Sequence, residues 1–172
     1  MTLTGTSATS SGPLFTSVVD PLHAALVLHD QNTTRQQDRF RTRLCFELAT
    51  HGVASLRVWD TTTEAVRSGL AHLRTKVHAA PAAMVAIGPT CSAALRHTAH
   101  HPSEVDRLVL LNPAPADEDE DSCGGVVSST LIVHGAGTDL PSGPTRALAQ
   151  RLVCRTAWWR SRYCNAPTGR RR

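Results

Sequence analysis

A chain of 172 residues is long enough for one domain with a sizeable hydrophobic core and too short for two. Its content of 41% hydrophobic and 19% charged residues is typical of a globular protein and argues against a disordered one. The net charge of +4 arises at one end, because residues 155–172 carry six Arg and no acidic residue. The rest of the chain carries 12 basic and 14 acidic residues, so we expect no nucleic-acid binding by the folded body.

Apolar runs along the chain are short. None approaches the ~20 residues of a membrane-spanning helix, and residues 1–13 lack the basic and apolar parts of a secretory signal. We therefore expect no membrane partner and a cytoplasmic location. In that compartment the five Cys, which form no CxxC pair, are expected to be free thiols.

Short apolar runs alternate with amphipathic stretches. The first amphipathic stretch places Phe40, Leu44 and Leu48 on a predicted buried stripe. A second stripe is predicted in the helix that follows the threonines at 61–63, which can cap it. The predicted elements are strands over 24–29, 53–59, 84–87, 105–111, 130–134 and 154–159, and helices over 36–51, 61–77, 92–100 and 143–152.

This alternation predicts right-handed βαβ units. The expected fold class is therefore α/β, a three-layer α/β/α sandwich with a mostly parallel, doubly wound sheet. The predicted domain covers residues 21–154, with an acidic loop at 114–129, a flexible segment at 1–20 and an Arg-rich tail at 155–172. Ligands bind such sheets at the carboxyl ends of the strands. Those ends are expected at His29-Asp30, Asp60, Gly88–Ser92, Asn112-Pro113 and Gly135–Asp139.

Three strand-end segments carry a resemblance to a known family. They are Val27-Leu28-His29-Asp30, His101–Pro113, and Leu131-Ile132-Val133-His134-Gly135 followed by Asp139. In this order, together with the helix and strand over 40–60, they resemble the α/β-hydrolase superfamily over residues 24–153. The similarity is greatest to small, lid-poor members such as dienelactone hydrolases and esterases. The resemblance implies an α/β-hydrolase fold with a truncated C-terminus and a small ester-like molecule as ligand.

The family's nucleophile follows a strand in the motif Gly-x-Ser-x-Gly, on a strained turn where the nucleophile usually has a positive φ. This sequence has Gly88-Pro89-Thr90-Cys91-Ser92 at that place. Thr90 takes the nucleophile position, although its branched side chain fits such a turn poorly. Cys91 is a stronger nucleophile but stands one residue too late, so its side chain should point away.

The other site residues also follow from the resemblance. Asp139 matches the triad acid, and the backbone N–H groups of Cys91 and of Asp30 or Gln31 match the oxyanion donors. No histidine follows His134, so the expected general base is missing. The resemblance therefore predicts an α/β-hydrolase of carboxylic-ester hydrolase ancestry whose catalysis is lost or impaired.

No cofactor or metal is expected. His97 and His101 have the i, i+4 spacing of metal ligands, but Pro102 ends the helix and no acidic ligand is predicted nearby. An exposed cluster at the helix C-terminus, favoured by the helix dipole, is the preferred interpretation. The glycine pairs at 124–125 and at 135 and 137 lack the spacing of a nucleotide-binding loop.

Two alternatives to an impaired hydrolase remain open. One is a non-catalytic module that binds a small ligand or a protein at the strand ends. Another is attachment of the Arg-rich tail, with its aromatic residues, to nucleic acid or a membrane surface. The tail at 155–172 is itself interpreted either as a frame-shifted terminus or as genuine divergence.

Overall fold

The computed structural model describes residues 14–16, 21, 23–31, 34–77, 82–114, 123–135, 142–152 and 156–161. Within these residues seven strands form one sheet, and four helices of at least ten residues pack against it. The strands are β1 (Leu14–Thr16), β2 (His23–Leu28), β3 (Val53–Val58), β4 (Ala82–Ile87), β5 (Val105–Leu111), β6 (Ser129–Gly135) and β7 (Thr156–Ser161). The helices are α1 (Arg35–Thr50), α2 (Thr63–Lys76), α3 (Cys91–His100) and α4 (Ser142–Arg151).

The strand order in the sheet is β1-β3-β2-β4-β5-β6-β7. Strand β1 pairs with β3 in the antiparallel direction, and all other neighbours in the described sheet are parallel. Helices separate most of the parallel strands along the chain, as βαβ crossovers require. The predicted α/β fold class with a mostly parallel sheet is confirmed. No helix in the described residues is long and apolar enough to cross a membrane.

Two strands lie outside the predicted domain boundaries. Leu14–Thr16 falls in the segment expected to be flexible, and Thr156–Ser161 falls in the segment assigned to the tail. Both pair with the sheet through backbone hydrogen bonds, which composition does not reveal. The sheet therefore extends by one strand at each edge beyond residues 21–154.

The helices lie on both faces of the sheet. Leu26, Met84 and Leu108 point to the face covered by α2, α3 and α4, where the larger hydrophobic cluster lies. The smaller cluster, around Val27 and Val85, lies on the face covered by α1. The stripe predicted for α2 is buried as expected, and Thr62 caps this helix by accepting a hydrogen bond from the Ala65 N–H.

Helix α2 lies close to the sheet at Gly69. A Cβ atom at this position would lie 2.8 Å from Leu26 Cδ1 and 3.3 Å from Val58 Cγ2. Such a separation is shorter than carbon–carbon contact distances in a packed core. Glycine therefore lets the backbone of α2 approach the interior strand β2.

The buried stripe of α1 differs from the predicted one by one residue. Arg41, Cys45 and Ala49 face the sheet, while Phe40 is 46% exposed. A hydropathy pattern places the more apolar residue inside, but Arg41 finds hydrogen-bond acceptors beneath the helix and is buried instead. The expectation that Phe40 heads this stripe was therefore wrong.

Candidate functional site

The parallel strands end at one edge of the sheet, which is where the ligand site is expected. Asn112 lies directly after β5 and has a φ of 49°. It stabilises this edge through two hydrogen bonds. Its backbone N–H donates to the Val133 carbonyl at 2.8 Å, and its Oδ1 accepts a hydrogen bond from the Gly135 N–H at 2.6 Å. Asparagine tolerates this left-handed conformation better than most residues. The ends of β5 and β6 are therefore held together.

The turn between β4 and α3 has its positive φ at Gly88. Gly88 has a φ of 63°, whereas Thr90 has ordinary right-handed helical angles of −74° and −8°. Residues Gly88–Thr90 form one 3₁₀ turn that leads directly into α3. The positive φ that the family associates with its nucleophile thus falls two residues before Thr90. A Cβ atom at Gly88 would meet no atom of the described residues within 4 Å, so this position is open within that part of the chain.

Thr90 is 3% exposed, and its hydroxyl group is engaged by the backbone. The Thr90 Oγ1 lies 3.1 Å from the Leu28 carbonyl oxygen and 3.1 Å from the Ile87 carbonyl oxygen. It also accepts a hydrogen bond from the Ile87 N–H at 3.0 Å. In this arrangement the hydroxyl joins the ends of β2 and β4.

Cys91 is buried in the larger hydrophobic cluster, as expected for a side chain that points away from the strand ends. Its Sγ lies 3.4 Å from the Ala86 carbonyl oxygen. Its backbone N–H, one of the expected oxyanion donors, donates to the Gly88 carbonyl oxygen within the 3₁₀ turn. An incoming oxyanion would have to compete with this bond.

The remaining expected site residues are partly described. Asp30 is half-buried and Gln31 is exposed, both just beyond β2. Since β2 and β4 are neighbours in the sheet, Asp30 and Thr90 lie at the ends of adjacent strands. Asp139 lies outside the described residues.

A buried polar cluster beneath α1 was missed by the sequence analysis. His29, Arg41 and Arg57 are at most 7% exposed. Arg41 Nη1 lies 3.0 Å from His29 Nδ1 and donates to the Asp30 carbonyl oxygen at 3.1 Å. Arg57 pairs with the carboxylate of Asp38 at 2.6 Å. The only sequence signal is that Arg57 interrupts an otherwise apolar strand.

Charge and burial shift the pKa values in this cluster. Burial lowers the pKa of His29, and the cations of Arg41 and Arg57 lower it further. Burial also lowers the pKa of Arg41, and the neighbouring Arg57 adds to the effect. The hydrogen bond from Arg57 lowers the pKa of Asp38, which stays ionised. His29 is therefore neutral at pH 7.

The histidine cluster at the end of α3 is only partly the exposed group that was expected, because His100 is exposed but His97 is buried. His97 is 3% exposed, and its Nε2 lies 3.1 Å from Glu104 Oε2. The tight turn after the helix brings Glu104 back under His97, which helix periodicity could not indicate. Burial lowers the pKa of His97. Among the described residues no group of three His, Cys, Asp or Glu side chains could hold a metal ion.

We expect stability to fall as the pH drops from 7.5 to 5. His29 and His97 have lowered pKa values in the folded state, so the unfolded chain, with an ordinary value near 6.5, binds protons first. The stabilisation is present above pH 6.5 and is lost as the pH falls toward the folded pKa values, by at most about 1.4 kcal/mol per pH unit for each histidine. Thermal unfolding as a function of pH measures the slope.

His97→Gln should flatten this pH dependence, and His23→Gln, which changes an exposed histidine, should not. A His97→Gln variant with the full slope of the parent would contradict the assignment.

Cysteine substitution tests which residue of the turn is open. Gly88→Cys should add one thiol that reacts rapidly with Ellman's reagent, because no atom of the described residues lies within 4 Å of a Cβ at that position. Thr90→Cys should add none, since the site is buried. A local opening that costs about 3 kcal/mol slows a buried thiol about a hundredfold. Equal reactivity of the two new thiols above the parent's background would show that the turn differs from the one described.

An open pocket of about 350 Å³ lies beside the end of β3, away from the turn after β4. Its lining includes Trp59 and Asp60 after β3 and Gly69 and His72 of α2. Its volume is at the lower end for small-molecule sites. Of the described residues predicted for catalysis, neither Thr90 nor Cys91 lines it.

The fold is shared with hydrolases of known structure. The protein Est1E from Butyrivibrio proteoclasticus superposes with a TM-score of 0.72 at 13% identity, covering 87% of this chain and 84% of that one. A dienelactone hydrolase from Anabaena variabilis gives 0.74 at 16% identity, covering 87% and 78%. The esterase domain of a Rhodothermus marinus protein gives 0.69 at 17% identity, covering 86% and 80%.

These similarities define the class of fold. The chain has the α/β-hydrolase fold, which it shares with a dienelactone hydrolase and an esterase domain, and the predicted resemblance is confirmed at the level of the fold. No protein-family model and no curated protein matches the chain. At these low identities, a shared fold does not imply a shared function. The chemistry that this chain can perform therefore depends on the residues at its own strand ends.

Proposed function

We propose that this chain is an α/β-hydrolase-fold protein of carboxylic-ester hydrolase ancestry in which ester hydrolysis is lost or strongly impaired. The observation that carries the proposal is the turn after β4, where the residue with the positive φ is Gly88. Glycine has no side chain with which to attack an ester. On this basis we propose that the protein is a pseudoenzyme, and the cytoplasmic location expected from the sequence is kept as part of the proposal.

The residue that follows Gly88 supports the same conclusion. In the family the N–H of the residue after the nucleophile helps to bind the oxyanion. Here that residue is Pro89, which has no N–H. When the turn is aligned with the family's turn by its positive φ, Gly88 takes the position of the nucleophile and Pro89 that of the oxyanion donor. Both the nucleophile and this donor are then absent.

Alignment by the sequence motif leads to weak chemistry as well. Thr90 would then be the nucleophile and Asp139 the acid, with Cys91 and Asp30 or Gln31 as oxyanion donors. The Thr90 hydroxyl is engaged by the Leu28 and Ile87 backbone. No histidine lies between Asp139 and residue 172 that could take the proton of the Thr90 hydroxyl. Any remaining activity would be slow hydrolysis of an acyl ester.

An ester assay tests the proposal. Purified full-length chain is incubated with p-nitrophenyl acetate and p-nitrophenyl butyrate, and labelling by a fluorophosphonate probe is measured in parallel. We expect turnover no faster than that of the Thr90→Ala and Cys91→Ala variants, and no probe labelling. Robust turnover that either substitution abolishes would refute the proposal and identify the nucleophile.

A second candidate is a non-catalytic binding module that uses the strand ends. The buried His29 Nε2 favours it, because this atom has no hydrogen-bond partner among the described residues and lies near the end of β2. Stabilisation by a small molecule without turnover would support this function. The hypothesis that the Arg-rich tail binds nucleic acid or a membrane falls largely on residues outside the described part.

A further inference from the structure

Arg41 is a buried cation that has no carboxylate partner among the residues that the structure describes. It is 4% exposed, and within the described chain its hydrogen bonds go only to neutral groups, His29 Nδ1 and the Asp30 carbonyl oxygen. No ion pair forms between Arg41 and any acidic residue of that part of the chain. Buried guanidinium groups are ordinarily paired, because taking the charge out of water is costly.

A second buried cation lies beside it. Arg57 donates through Nη2 to Asp38 at 2.6 Å and through Nη1 to Thr42 at 3.2 Å, and its Nε has no partner among the described residues. Arg57 is close enough to disfavour the charge on Arg41. Two buried guanidinium groups therefore lie near each other beneath α1, and the Nε of one of them, Arg57, is an unused buried donor among the described residues.

The nearby acidic groups do not neutralise Arg41 by contact. Asp38 is committed to Arg57, and 56% of its side chain is exposed. The carboxylate of Asp30 favours the charge on Arg41 only at a distance. The guanidinium group of Arg41 therefore has more N–H donors than the two described acceptors that it contacts.

We propose that Arg41 and Arg57 form a binding site for one small oxyanion, a carboxylate or a phosphate, beneath α1 and beside the ends of β2 and β3. The planar guanidinium fork matches two oxygens of such an anion, which a spherical halide does not provide. The exposed carboxylate of Asp38 marks the side on which the cluster meets solvent. The site does not depend on ester hydrolysis and stands apart from the proposed loss of catalysis.

His29 reports on the site. When Arg41 donates to Nδ1, the ring proton is on Nε2, and the two cations disfavour a second proton. An oxyanion between Arg41 and Arg57 cancels part of that positive field. Binding therefore raises the pKa of His29.

Thermal unfolding of the full chain tests the proposal. Sodium acetate and sodium phosphate are titrated separately at constant ionic strength, with chloride making up the balance. A specific site gives a rise in Tm that saturates with concentration, and the arm that saturates first identifies the preferred anion. A general salt effect does not saturate in this way.

Arg41→Gln should weaken the saturating response at least about tenfold, the loss expected when one charge-assisted hydrogen bond is removed. Arg39→Gln removes the same charge from an exposed position of the same helix and should keep the response. Equal responses from the two variants, or no saturation with either anion in the parent, would overturn the proposal.

A measurement on the unmodified chain covers the case in which Arg41→Gln does not fold. Nitrogen-15 NMR of histidine-labelled protein follows the His29 imidazole through a pH titration with and without the saturating anion. The pKa of His29 should rise in the presence of the anion. An unchanged His29 titration overturns the proposal, and neither readout involves ester turnover.

Discussion

Thr90→Val is expected to lower the free energy of unfolding by about 2 kcal/mol. Valine keeps the shape of threonine but removes the hydroxyl that bonds to the backbone at Leu28 and Ile87. Those backbone groups are left without their partner in a buried place, which costs about 1–3 kcal/mol. Urea denaturation monitored by circular dichroism measures the change.

Thr90→Ser is the matched control for this substitution. Serine keeps the hydroxyl and loses one buried methyl group, so we expect a loss of about 1 kcal/mol. If Thr90→Val is as stable as Thr90→Ser, the hydroxyl does not join β2 to β4. Thr90 would then be free for another role, and its place as a nucleophile would regain support.

Leu26→Ala is expected to have the largest effect of any substitution considered, a loss of about 3–4 kcal/mol. Leu26 is fully buried in β2, an interior strand of the sheet between β3 and β4. Truncation to alanine leaves a cavity between this strand and α2. Denaturation of Phe40→Ala, which truncates a 46% exposed side chain, should show a change of less than about 1 kcal/mol.

The close approach at Gly69 adds a second test of the same contact. Gly69→Ala alone gains about 1 kcal/mol of helix propensity, which the 2.8 Å contact with Leu26 Cδ1 opposes. In a Leu26→Ala background the new methyl group has room. The double variant should therefore be more stable than the sum of the single changes by about 1–2 kcal/mol. Strict additivity would contradict the packing of α2 on β2.

The sequence predicted most of the architecture because burial follows periodicity in these elements. Strand β5 occupies the predicted residues, and the stripe of α2 is buried at Val66, Leu70 and Leu73. Strand β1 was missed because three residues carry too little pattern to stand out from a polar segment.

Two of the errors arise because tertiary contacts override the helix pattern. Arg41 is buried because acceptors just beyond β2 lie beneath it, and His97 is buried because a turn returns Glu104 to it. The sequence motif led us to expect the positive φ at Thr90, but it lies two residues earlier, at Gly88, because a sequence motif does not specify backbone angles. Hydropathy alone contains none of this information.

The order of strands in the sheet has a consequence for how the protein forms during synthesis. When β3 is synthesised its partner β2 is already made, β4 then finds the free side of β2, and each later strand finds the strand synthesised just before it. From β3 onward, each parallel strand of the described sheet therefore has its partner available when it leaves the ribosome, and we expect this to shorten the time for which a strand edge is exposed to other chains.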